Sequence, residues 1–197
     1  MSMSDHVTSL SRNVSYHLRN IARIRRFMDF NTSSNVIRSL VLSRLDNGNA
    51  LLLGTNLSHI NRLQKLQNWA AKLVFCAKKY DHVTPYLKQL HWLPIKDRII
   101  FKILLYVYKS LNGHAPDYLS SCLTRYSSTQ SRPGLRSSSD LTRLAIPKLP
   151  SNSLVSAADK SFSLAAPDIW NKLPKRLRNS SSLDSFKKGL KTRLFVK

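Results

Sequence analysis

Arg12, Arg19 and Arg26 recur every seven residues, and Arg23 falls one turn from both Arg19 and Arg26. At about 100° per residue on a helix, these four guanidinium groups share one face. A guanidinium is a planar fork of donors that fits two phosphate oxygens at once. A row of such forks with no carboxylate among them suits the backbone of a nucleic acid, RNA or DNA alike. A solvated basic face has the same spacing, so the pattern is a candidate site and no more. Lys78, Lys79 and Tyr80 make a second candidate: two cations beside a ring able to stack on a base. Tyr16, Trp69, Trp92, Tyr106 and Tyr108 could stack as well, but for most of them helical spacing beside aliphatic residues favours a place in the core.

Catalysis requires convergent groups, and the sequence offers few. All ten acidic residues are Asp and none forms Asp-Asp or Asp-x-Asp, so paired metal-binding carboxylates of the phosphoryl-transfer kind are not expected. No P-loop, Gly-x-Ser-x-Gly elbow or His-Glu-x-x-His occurs. Cys76 and Cys122 stand alone and the six histidines are scattered, which argues against a zinc site. The expectation is a chain with no catalytic residue, no metal and no cofactor.

The elements that must carry the candidate sites read as helices. Ser2 and Asp5 can cap a first helix that runs towards Phe30, with Val7, Leu10, Val14, Ile21, Ile24 and Met28 inward. Thr32 or Ser33 can cap a second helix bearing Val36, Ile37, Leu40, Val41 and Leu45, and Asp46-Asn47-Gly48-Asn49 is a turn. Ser58 opens a long helix that ends near Lys78-Lys79, and Thr84-Pro85 opens a short one. The most apolar stretch is the central helix. Pro94 stands at its start, Asp97 in its first turn and Asn112-Gly113 at its stop. Ile95, Ile99, Ile103, Tyr106, Val107 and Leu111 form its stripe, widened by Ile100 and Leu104. Lys102 and Lys109 interrupt it, and it is shorter than the ~20 apolar residues that span a bilayer, so no membrane partner is expected. Residues 127–153 are rich in Ser, Thr, Arg and Pro and read as a long irregular loop. Ser156 and Asp159, then Ser181 and Asp184, are further capping pairs, with Pro167 a break between the last helices. The fold class is mainly α: a helical bundle with that loop before its C-terminal helices. The regions are 1–80, 81–126, 127–153 and 154–197.

The charge points to a polyanion. The 197 residues carry 32 Lys plus Arg against 10 acids, a net +22, and the 42% hydrophobic content still allows a core. Every basic residue among the first 62 is Arg. No apolar run follows the N-terminal residues, so a secretory signal is not expected, and two lone thiols fit a reducing intracellular compartment, nuclear or cytoplasmic.

Eight segments together resemble a known family. They are Tyr16-His-Leu-Arg-Asn-Ile-Ala-Arg-Ile-Arg-Arg26, Ser43-Arg-Leu-Asp46, Leu63-Gln-Lys-Leu-Gln-Asn-Trp-Ala-Ala-Lys-Leu-Val74, Tyr80-Asp-His-Val-Thr-Pro85, Leu90-His-Trp-Leu-Pro94, Phe101-Lys-Ile-Leu-Leu105, Ala165-Ala-Pro-Asp-Ile-Trp-Asn-Lys-Leu-Pro174 and Ser185-Phe-Lys-Lys-Gly-Leu-Lys191. In this order, from about Ser2 to Phe195, they resemble the C-terminal region of jockey-like, LINE-type (non-LTR) retrotransposon reverse transcriptases. One departure is Asn47-Gly48, where the family has an aromatic residue followed by Cys. The resemblance implies a fragment that begins past the palm, with Met1 an internal methionine of a longer frame. It implies no carried-over catalytic aspartate, a thumb-like role in holding template–primer for Tyr16 to Arg26 and the helix ending near Lys78-Lys79, and the palm and fingers of the parent polymerase as a partner. Two other readings fit the same residues: a co-opted helical protein–protein interaction module, and a degraded reading frame without selected function.

Overall fold

Ser2 starts the first helix as its sequence predicts. In the computed structural model, which describes residues 2–126, 142–147 and 162–195, the Ser2 hydroxyl accepts from the Asp5 amide and the Asp5 carboxylate accepts from the Ser2 amide. Helix α1 spans Met3–Ile24 and buries Val7, Ser11, Val14, Leu18 and Ile21. The expected stripe is shifted at both ends: Leu18 replaces Leu10 as a fully buried residue, and Ile24 is exposed. At about 100° per residue Leu18 lies on the buried stripe, whereas Leu10 and Ile24 lie off its centre, and a 3-10 turn over Arg25–Phe27 then takes Met28 off the helix.

Helix α2, Phe30–Ile37, is capped by Asp29, whose carboxylate accepts from the amides of Asn31 and Thr32. This corrects the expected Thr32 or Ser33 cap: the chain is already turned at Asp29, two residues after the 3-10 turn. A π-helical turn, Arg38–Leu42, leads into α3, Ser43–Asp46. The wider turn rotates the inward face, so Val41 and Leu42 are both buried while Leu40 is exposed. Gly48 then takes φ +65°, the left-handed conformation the turn needs.

Asn56, not Ser58, caps α4, Leu57–Val74: its side-chain oxygen accepts from the Ser58 amide. Helix α5 spans Thr84–Gln89 with Val83 as its cap residue, which moves Thr84 into the first turn ahead of Pro85. Helix α6, Ile95–Leu111, carries Asp97 in its first turn, and the Pro94 carbonyl accepts from the Arg98 amide. Gly113 at φ +70° lets the His114 amide reach back to the Lys109 carbonyl and close the helix. Ile95, Ile99, Ile103, Leu104 and Val107 are buried as expected. Tyr108 is buried too, in place of the half-exposed Tyr106.

The chain divides into two units, Met1–Ile99 and Ile100–Lys197. In the first, α1 and α4 lie side by side and run in the same direction. Arg62 reaches Thr8 near their starts, and Arg25 reaches the carbonyls of Leu73 and Val74 at their ends. Gln67, fully buried, donates to the Leu93 carbonyl at 2.8 Å, and the Gln64 side-chain oxygen accepts from the Ile95 amide at 2.8 Å. These two amides bind α4 to the start of α6. Arg98 forms an ion pair with Asp46, its Nε at 2.8 Å.

In the second unit, α7 spans Asp117–Ser120, α8 Phe162–Asn171, α9 Lys175–Arg178 and α10 Leu183–Phe195. Pro167 does not break α8 but lies inside it, buried with Ala166 and Trp170, so the burial of this face outweighs the hydrogen bond that the proline cannot donate. Ser182, rather than Ser181, caps α10 by accepting from the Ser185 amide. The Phe186 ring stacks on Tyr108 at 4.4 Å and meets Trp170 at 5.8 Å. Asn171 holds Leu144 by both its amide and its carbonyl, and Leu144 makes an isolated bridge with Arg125.

Among the described residues there is no strand, and the fold is mainly α, a helical bundle. No helix among them is long and apolar enough to cross a membrane. Of the predicted 127–153 loop only 142–147 is described; the remainder, with the Ser156 and Asp159 pair, lies outside the described residues.

Candidate nucleic-acid interface

The α1–α4 pair presents the cations. Arg12, Arg19 and Arg23 are exposed on α1, about 140° round from its buried stripe, and Arg26 is exposed on the turn that follows. Among the described residues none of the four is ion-paired. Four carboxylates of this unit are engaged elsewhere. Asp5 closes the cap of α1, Asp29 caps α2, Asp46 pairs with Arg98, and Asp81 accepts from the Lys78 amide and the Tyr86 hydroxyl. The hydrogen bonds from Ser2 hold the Asp5 carboxyl below its ordinary range, and those from Thr32, first of its partners, do the same for Asp29. Burial, then the Arg44 charge, holds His17 below its ordinary value, so this residue adds no charge to α1 at neutral pH.

Arg25 and Arg26, adjacent in sequence, have different tasks. Arg25 donates Nε to the Leu73 carbonyl at 2.7 Å, Nη2 to the Val74 carbonyl at 2.7 Å and Nη1 to the Met28 carbonyl at 2.6 Å. It caps the C-terminal end of α4, where a cation meets the negative end of the helix dipole. The Arg26 guanidinium is free of such bonds and sits 4.6 Å over the Phe27 ring, which is 75% exposed.

Beyond the end of α4, Lys78, Lys79 and Tyr80 are all exposed. Tyr80 is 88% exposed, and the Lys79 ammonium lies 5.6 Å from its ring. Arg26 and Lys79 converge on one cleft of about 710 Å³, whose walls are the end of α1 and the outer face of α4. The structure therefore joins Arg26 to Lys79. Arg12, Arg19 and Arg23 continue along α1 outside the cleft, and Lys78 and Tyr80 stand beyond its lining.

Arg25 also lines the cleft, and two cations from α4 were not anticipated: Lys65 and Lys72. Their signal was present in the sequence, because Lys65, Lys72 and Lys79 repeat every seven residues as Arg12, Arg19 and Arg26 do. Lys72 donates to the Lys79 carbonyl at 2.5 Å and so ties the post-helix segment to the wall. Two aromatic assignments also change. Tyr16 is 57% exposed, one turn from Arg12 and Arg19 on the same side of α1, and Trp69 is half-buried in the lining of the cleft. Trp92 and Tyr108 are core residues, as expected.

Among the described residues no three His, Cys, Asp or Glu side chains gather where they could hold a metal. No family model, no curated protein and no solved structure matches this chain.

Proposed function

We propose that the first unit binds nucleic acid through the phosphate backbone, as a non-catalytic, thumb-like part of a LINE-type reverse transcriptase. One observation carries the binding: two parallel helices and the segments that follow them present Arg12, Arg19, Arg23, Arg26, Lys65, Lys72 and Lys79, while Asp5 and Asp29 serve caps, Asp46 an ion pair with Arg98, and Asp81 a turn and the Tyr86 hydroxyl. The polymerase context is supported by the ordered motifs of the sequence, which carry the thumb role to these same two helices. The rest of the parent polymerase is then the natural partner. Phosphate contacts position a duplex without reading its bases, so the unit would grip template–primer of any sequence.

The test is a salt titration with a labelled B-form DNA duplex. The logarithm of the binding constant should fall with the logarithm of salt by about 0.9 per phosphate neutralised. Replacing Arg19 and Arg23 with Gln should flatten that slope by roughly two units and weaken unrelated sequences alike. Lys175 and Lys188, exposed in the second unit, provide the control pair. Equal losses from both double variants would leave only diffuse charge and overturn the reading.

A further inference from the structure

We infer that the α1–α4 cleft is a site for an unpaired nucleobase, stacked on Trp69 with its flanking phosphates held by Lys65, Lys72 and Lys79. The inference rests on the nucleic-acid reading above and deepens it, since a cation face alone calls for a duplex backbone and no cleft. The cleft, of about 710 Å³, is large enough for a nucleotide, and its floor is apolar where Ala22 and Trp69 line it. Trp69 is half-buried, packs against no aromatic ring of the protein, and has no acceptor for its indole N–H among the described residues. The other two tryptophans are buried: Trp92 is 3% exposed with its N–H unpartnered, and Trp170 is 1% exposed with its N–H donating to the Thr142 carbonyl. A half-exposed indole with a free N–H, among cations and no carboxylate in the cleft lining, complements a base that carries phosphates on both sides. A base paired in a duplex presents only its edges and cannot enter.

Two strands of equal length and charge decide the matter: a short oligothymidylate and its abasic counterpart, each titrated into the full chain. Because Trp92 and Trp170 are buried, a base that stacks in the cleft should quench Trp69 emission, and the abasic strand should not. The base-bearing strand should bind about tenfold more tightly, within the range that single base–aromatic stacks contribute. Trp69→Leu should bring its affinity down to that of the abasic strand and leave the abasic strand unchanged. Should this variant fail to fold, by circular dichroism, the comparison of the two strands on the native chain still decides. Equal affinity of the two strands without quenching overturns the base site and leaves the phosphate reading standing. Binding of neither strand overturns the base site, and the duplex salt titration decides the phosphate reading separately. A cleft covered by another copy of the chain would leave Trp69 unquenched by either strand while its accessibility to acrylamide falls with protein concentration, and that too overturns the inference.

Discussion

Gln67 has no exposed surface and yet it is polar. Its amide donates to the Leu93 carbonyl, and its oxygen accepts from Gln64 at 3.0 Å. A buried carbonyl without a donor costs more than the bond itself contributes, because the lost hydration is not restored. Gln67→Met keeps the volume and removes the donor. It should destabilise the protein by roughly 1–3 kcal/mol, seen as a lower urea midpoint at constant slope. A loss under about 0.5 kcal/mol would mean that water replaces the amide at Leu93. Residue types and spacings were legible at this scale: the exposure of the Arg row on α1 and of Lys78 to Tyr80 follows from their spacing and charge. The separation of Arg25 from Arg26 was not, since it depends on where the end of α4 lies in space.

At the scale of elements, the helices were legible because apolar residues recur at helical spacing and Pro94, Gly48 and Gly113 mark ends and turns. Ser2 kept its place, but the other caps moved by one to four residues, since several Ser, Thr, Asp and Asn side chains compete at each start and the turn geometry selects among them. The π turn at Arg38–Leu42 had no local signal, and neither did the parallel packing of α1 on α4 that builds the cleft. One cap leads to a pH prediction. Hydrogen bonds to the ionised form hold the folded Asp29 carboxyl below its ordinary value of 3.8. Its contribution to stability is therefore fully present above that value and is lost as pH falls through the lower folded value. Asp29→Ala should lower the thermal midpoint at neutral pH, and the gap between variant and native chain should close as pH falls below 3.8. A gap that persists in acid would show that Asp29 acts through packing and not through its charge.

On the scale of the whole molecule the balance of charge governs both stability and binding. With 32 cations against 10 anions, most neighbouring charges are alike, and self-repulsion opposes the compact state. Salt also weakens the attractive pairs, such as Arg98 with Asp46 and the exposed Lys187 with Asp184 at 3.1 Å. Exposed pairs of that kind contribute only about 0–1 kcal/mol each, and there are few of them to set against the excess of like charge. Repulsion should therefore dominate the salt dependence of folding. Raising ionic strength from about 0.01 M to 0.15 M shortens the Debye length from roughly 30 Å to 8 Å. The thermal midpoint should rise over this range, by about 2–4 °C for each kcal/mol of repulsion relieved. Nucleic-acid affinity should fall over the same range, because released counterions drive the binding. The two measurements must move in opposite directions on the same sample. A midpoint that falls with salt would mean that the caps and ion pairs outweigh the net charge, and the loss of binding in salt would then reflect an unfolding protein rather than screened phosphate contacts.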